Sequence, residues 1–307
     1  MAEPLARRLT DTWAEQIESG FILGDPSAPV ETRWINDPAS GVTFRLRWLP
    51  HRNLRTDTAA LESRGILSPD RDESVLYRDP RDPSGHHCFL CPANIRVCHP
   101  LEELVPVRAA GRNWLAGANF AWLAHNHFTV IAEEHVDQSF DRRVIAAMLD
   151  LHAQTAGEFR VVYNGAYAGA TIPWHLHLHA TTDAFPVEEL HPDRAPEYPT
   201  PVRVFAGAGS LETEVTDYVI GWERRDPEHH RVNMLVASRG GRPMVFVFLR
   251  DTRFTIAGHK GLIGGWEVAG DYAYSDRRDD FDAADIDAVR AAFAEIRPPA
   301  VGMDRDR

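Results

Sequence analysis

The chain has 307 residues, 44% hydrophobic and 25% charged, with a formal net charge of −12. This fits one large or two modest globular domains with a proper core, and the acidic balance argues against binding a nucleic-acid backbone. No apolar run approaches the roughly eighteen residues of a membrane span, and the charged, amphipathic start MAEPLARRLTDTWAEQ has no apolar signal core, so a cytoplasmic protein with neither nucleic-acid nor membrane partners is expected.

Residues 4–20 read as a helix, because Leu5, Leu9, Trp13 and Ile17 recur every fourth position. GVTFRLRWLPH (41–51) alternates and reads as a strand. Residues 66–87, rich in Asp, Arg, Pro and Gly, read as a loop before CFLC (88–91) opens a second region. Residues 113–135 hold two strand-like runs, and 141–157 reads as a helix closed by Gly157. FRVVYN (159–164) reads as a strand, followed by the small-residue loop GAYAGAT. VRVFAGAG (202–209) and DYVIGWE (217–223) read as strands. Residues 231–251 read as a hairpin about Gly240-Gly241, and 282–296 as a closing helix before a disordered tail. Many strands with few helices between hairpin-like units imply an antiparallel α+β fold.

The segment IPWHLHLHATTD (172–183) carries the strongest chemical signal. As a strand it puts His175, His177 and His179 on one face and Leu176 and Leu178 on the other. With 15 histidines in the chain, roughly 0.04 such runs are expected by chance. Neutral imidazoles in this array suit metal ligation or nucleophilic attack on phosphorus. Attack needs one free ring nitrogen, its partner donating to a carbonyl, and donors around the phosphate oxygens. The upstream loop can supply backbone N–H groups at close approach, because Gly165 and Gly169 lack side chains. The three cysteines, Cys88, Cys91 and Cys98, lie within eleven residues, which favours metal over a disulfide framework. Cys88 and Cys91 have C-x-x-C spacing; further ligands could come from His86, His87, Cys98, His99, His125, His127, His135 or His175.

Residues 163–188, YNGAYAGATIPWHLHLHATTDAFPVE, resemble the active-site segment of the histidine-triad superfamily, in its nucleotidyltransferase and phosphorylase branch. That branch holds galactose-1-phosphate uridylyltransferase, diadenosine tetraphosphate phosphorylase and GDP-L-galactose phosphorylase. The matching elements are Asn164, Ala170-Thr171-Ile172, the triad and Phe185-Pro186-Val187-Glu188. HCFLCPAN (87–94), the stretch 118–138 with Asn119 and His135, the 231–251 hairpin and GWEVAGDY (265–272) extend the likeness over about 85–275. His179 stands where the phosphorylases most like this chain have Gln, one extra residue precedes His175, and NFAW replaces Asn-Pro-Phe-Pro.

The resemblance implies His177 as the nucleophile, with His179 and Asn164 beside it in the catalytic group. It implies a closed, structural Zn²⁺ site of Cys88, Cys91, His135 and His175. Asn119, Gly169, Thr171 and Glu267 would line the substrate site, Asn164 orienting phosphates or the His177 tautomer. The expected architecture is an α+β, HIT-like antiparallel sheet with flanking helices. An N-terminal helix-and-strand region would occupy 1–84, a catalytic half 85–200, a degenerate second half 201–296 and a tail 297–307. The implied reaction is nucleotidyl transfer from a nucleoside diphosphate sugar or dinucleotide to inorganic phosphate or a sugar phosphate, in a protein that forms a homodimer as relatives do. It requires the ring at 177 to be exposed on its strand. The rival readings are a hydrolase of dinucleoside polyphosphates or nucleotide conjugates, and a zinc-stabilised nucleotide-binding module without turnover.

Overall fold

The computed structural model describes residues 3–71, 88–207 and 210–298. Its centre is an eight-stranded antiparallel sheet in the order β3-β4-β5-β7-β6-β9-β10-β8. These strands are β3 (Leu104–Ala109), β4 (Arg112–Ala118), β5 (Phe128–Ala132), β6 (Arg160–Asn164), β7 (His177–Thr181), β8 (Val202–Ala206), β9 (His230–Arg239) and β10 (Arg242–Asp251). A smaller sheet pairs β1 (Thr32–Asn36) with β2 (Thr43–Trp48) and, in parallel, β2 with β13 (Asp271–Tyr274). A two-stranded ribbon, β11 (Ile256–Ala257) with β12 (Gly261–Leu262), completes the strands among the described residues.

Both faces of the main sheet are covered, so its central strands read as near-continuous apolar runs. One face packs Val130, Leu178, Val161, Met234 and Val247 under three helices. These are α1 (Leu5–Glu18), α4 (Arg142–Gln154) and α5 (Leu211–Glu223), whose apolar stripes point into that core. Two short helices, α2 (Thr58–Ser63) and α3 (Pro92–Cys98), lie between α1 and β3 in the chain. The opposite face packs Val162, Leu235, Phe246 and Phe248 against Phe44, Tyr272 and Phe293. The small sheet supplies that cover, with α6 (Gly265–Val268), α7 (Arg278–Ala283) and α8 (Ile286–Ile296). Toward β3 on the same side, Leu115 and Ile131 lie under Cys88, Leu90 and Ile95.

Most predicted elements are found close to their expected positions, and three expectations are corrected. The stretch 217–223 is not a strand; it is the second half of α5. Leu211, Val215, Val219 and Trp222 form a buried stripe at helical spacing, and that longer period outweighs the β-branched Val-Ile pair. The closing helix starts at Ile286, because Asp285 accepts a hydrogen bond from Ala288 N–H and caps it there. The histidine strand begins at His177, with His175 in the turn before it. The loop expected over 66–87 is described only to residue 71, where it is turns, and most of the tail also lies outside the described residues. The hairpin is as predicted: Gly240 and Gly241 have φ of 57° and 74°, the left-handed pair a two-residue turn requires.

Candidate active site and metal centre

Strand β7 pairs with β5 on one side and β6 on the other, which locks its register. Leu178 faces the helical core, so His177 and His179 face the other way, beside Ile131 and Thr129 of β5. His175, in the turn, points its Nδ1 away from the sheet toward the cysteine pair.

Cys88, Cys91, His135 and His175 come together, each offering one donor atom, all within 4.8 Å of one another. Cys88 Sγ is 3.3 Å from His175 Nδ1, Cys91 Sγ is 3.3 Å from His135 Nδ1, and Cys91 Sγ is 3.7 Å from His175 Nδ1. A tetrahedron built on ordinary Zn–S and Zn–N bonds has edges of about 3.3–3.8 Å. His175 Nε2 donates to the Ala132 carbonyl at 2.8 Å, so Nδ1 carries the lone pair a metal needs. A hydrogen bond from Cys91, together with His175 nearby, pushes the Cys88 thiol well below its ordinary value, toward the thiolate a metal binds. Donor set, tautomer and spacing therefore fit a four-ligand zinc site.

Two residues on, His177 Nδ1–H donates to the carbonyl of His175 at 2.8 Å. That fixes the tautomer, and Nε2 makes no hydrogen bond with a described residue yet keeps contact with solvent. The expectation of an exposed ring is corrected: His177 retains only 5% of its surface, so chemistry at this ring must reach it through Nε2, the one ring nitrogen without a partner among the described residues. Burial lowers its pKa to about 4, so the imidazole is neutral and basic at Nε2 in neutral solution.

His179 is oriented by a residue the sequence reading did not place in the site. The backbone N–H of Leu123 donates to His127 Nδ1 at 3.1 Å, so the remaining proton of neutral His127 is on Nε2. That Nε2–H donates to His179 Nδ1 at 3.2 Å, leaving a proton on His179 Nε2. His179 thus presents a donor on the face where His177 presents a lone pair, with ring centroids 5.4 Å apart. The Trp266 ring packs on His127 and His179, at 4.8 and 5.5 Å between centroids. Gln138, also missed, accepts from His177 N–H and donates to the carbonyls of His177 and Asn164, tying β7 to β6. Neither signal was visible locally: His127 sits eight residues from His135 and fifty-two from His179 in the chain.

Asn164 Oδ1 accepts from Gly265 N–H at 2.7 Å and Asn233 Nδ2 at 2.8 Å, so its side chain anchors α6, while the His177 tautomer is set by the His175 carbonyl. Gly169, at φ 100°, packs so close to Gly264 that a Cβ would overlap its Cα. Thr171 is exposed in the bend that follows. Asn119 Nδ2 donates to Thr129 Oγ1 at 3.1 Å, one strand from His179. Glu267 caps α6 through Gly264 N–H and pairs with Lys260 Nζ at 3.4 Å, apart from the triad.

Histidines kept neutral by burial make stability pH-dependent. His179 falls to about 3 and His51 to about 4, chiefly through desolvation. The unfolded chain takes up these protons near pH 6.5, whereas the folded chain does so only near pH 3–4. Stability is therefore full above pH 6.5 and declines as pH falls toward 4. Between pH 7 and 5, His179 alone should cost on the order of 1–2 kcal/mol, its residual exposure trimming the full value. Urea midpoints at pH 7.5 and 5.0 check this; an unchanged midpoint contradicts it.

A histidine-triad-like fold with a Cys₂His₂ cluster is the class these features define. Comparison with solved structures agrees on the fold. The chain matches yeast Ap4A phosphorylase Apa2 in complex with AMP at a TM-score of 0.65 and 14% identity, covering 99% of this chain and 100% of that one. It matches the Ap4A complex of the same enzyme at 0.61 and 11%, over 97% of this chain and 100% of that one. The family model described as domain of unknown function DUF4922 matches residues 52–182. No curated protein matches the sequence.

Proposed function

We propose that this chain transfers a nucleotidyl group through a covalent bond to His177. The observation that carries the reading is the ring at 177: neutral, its Nδ1–H bound to the His175 carbonyl, its Nε2 lone pair unengaged. Nε2 attacks the α-phosphorus of a nucleoside diphosphate sugar or dinucleotide. The P–N bond forms as the P–O bond to the leaving phosphate breaks, and that bond's electron pair departs with the leaving group. The ring becomes cationic, and the His175 carbonyl, accepting from Nδ1–H, stabilises the charge. His179 Nε2–H donates to a non-bridging phosphate oxygen, where charge accumulates. Inorganic phosphate or a sugar phosphate then attacks phosphorus, and the P–N pair returns to Nε2.

Cys88, Cys91, His135 and His175 would hold a structural zinc. When bound, it supplies rigidity to the turn that carries the His175 carbonyl, not Lewis-acid chemistry, since all four positions are filled by protein. The fold likeness to a phosphorylase whose structures contain AMP and Ap4A supports a nucleotide substrate.

The test is incubation with nucleotide sugars and dinucleotides, followed by intact-mass measurement and labelled-phosphate tracing. A gain of one nucleoside monophosphate on His177, with label entering a nucleoside diphosphate product, is expected. Product formed equally without phosphate would make water the acceptor and the chain a hydrolase. Tight nucleotide binding with neither adduct nor product would overturn the transfer reading.

A further inference from the structure

Beside the triad, on the same face of the sheet, lies a cleft open to solvent, lined by Glu102, Gly117, Asn119 and Thr129 among others. Register places it. His179 of β7 faces Thr129 of β5, Thr129 faces Gly117 of β4, and Gly117 faces Leu104 of β3. Strands are spaced about 4.8 Å apart, so Gly117 is about 10 Å from the triad strand. A nucleotide whose phosphorus sits at His177 would lay its ribose over Thr129 and direct its base into the cleft toward Gly117, where the Glu102 carboxylate stands. The cleft walls are apolar, with Phe89, Leu90, Ile95 and Phe120 among them, as a base face requires.

Among the described residues, one carboxylate stands in this wall. Glu102 is largely buried, with 11% of its side chain exposed. Its Oε2 accepts from His99 Nδ1 at 3.0 Å, and the His99 ring is itself fixed edge-on among Phe21, Phe89 and Phe120. Oε1 makes no hydrogen bond with a described residue and lies directly over Gly117, where a Cβ would overlap it. The carboxylate is thus held by one oxygen and presents the other to the cleft, in space that only glycine at 117 leaves open.

We propose that Glu102 reads the base, and that the base is guanine. An ionised carboxylate only accepts hydrogen bonds. Guanine's Watson–Crick edge offers two adjacent donors, N1–H and the N2 amine, with no acceptor between them, which match the open Oε1 and the second lone pair of Oε2, whose first is taken by His99. Adenine and cytosine set a ring-nitrogen lone pair beside their amine, and uracil flanks its N–H with carbonyls; each would face the carboxylate with a repelling acceptor. A carboxylate also suits a ribose diol, but the diol belongs over Thr129 and Asn119, nearer the triad. The inference rests on the transfer reading for its substrate pose.

Calorimetric titration of the full-length chain with GMP, IMP and AMP tests it. Wild type should bind GMP roughly 5- to 150-fold more tightly than AMP, with IMP, which lacks the N2 amine, between them. Glu102→Gln, and Gly117→Ala, which displaces the carboxylate without changing its charge, should bring GMP close to AMP by weakening GMP alone. AMP binding as well as GMP, no GMP binding, or a variant weakening both nucleotides equally would overturn the assignment. If the variants fail to fold, the three-nucleotide series on wild type decides. The same wild-type preparation, incubated with GDP-glucose and ADP-glucose and weighed intact, separates the two readings. Guanine preference without a protein adduct sinks only the transfer reading, while adducts formed equally from both donors sink only the base assignment.

Discussion

Replacing His177 by alanine should lower turnover by at least about 10³–10⁴-fold and abolish the covalent adduct. The prediction follows from which atom is unengaged. Nδ1 is committed to the His175 carbonyl, so Nε2 is the sole reactive position of that ring. No neighbour can replace it. His175 has one nitrogen on the Ala132 carbonyl and the other facing the cysteines. His179 has Nδ1 occupied by His127, which leaves a proton and no lone pair at Nε2. His179→Ala should therefore behave differently, losing a single transition-state donor, for about a 10²–10³-fold drop with the adduct still detectable. Both variants should fold, because Leu176 and Leu178, which are buried on the core side, are untouched. Activity of His177→Ala above a hundredth of wild type would remove the nucleophile assignment.

The second large effect concerns the cysteine–histidine cluster. Purified chain should carry one zinc per polypeptide by elemental analysis, and Cys88→Ala or Cys91→Ala should carry almost none. Structural zinc contributes directly to folding free energy. Here it would tie α3 to the turn before β7, two segments otherwise joined by a small cluster of Leu90, Ile95, Leu115 and Ile131 with Ile172 and Trp174 beside it. A loss of about 3–5 kcal/mol corresponds to a melting point lower by roughly 5–8 °C in a chain of this size. Activity should fall with it, because His175 is at once a ligand and the residue whose carbonyl sets the His177 tautomer. Metal-free wild type with an unchanged melting point would dismiss the site.

Several site features could be read before any coordinates. Alternation of histidine and leucine over 175–179 placed the imidazoles on one face, because side-chain direction in a strand has period two. The C-x-x-C pair stood out for a similar local reason: two thiolates one turn apart can share a metal. The same local logic misread 217–223, where two β-branched neighbours suggested a strand and the stripe from Leu211 to Trp222 made a helix. It also left the ring at 177 exposed, since burial depends on what covers a strand, and on this side of the sheet the cover is built from α6, the small sheet and α8, elements distant in sequence.

By itself the sequence determined the chemistry available to this protein: the histidine-bearing strand, the thiol pair and the alternating pattern that orients them. Only the tertiary structure decided which of eight possible ligands complete the cluster, that His127 dictates the proton on His179, and that a half-buried glutamate lines a cleft beside the triad face. The physical reason is range. Periodicity and spacing act over a few residues, whereas metal geometry, tautomer relays and burial are set by strands that meet across forty to a hundred positions of chain.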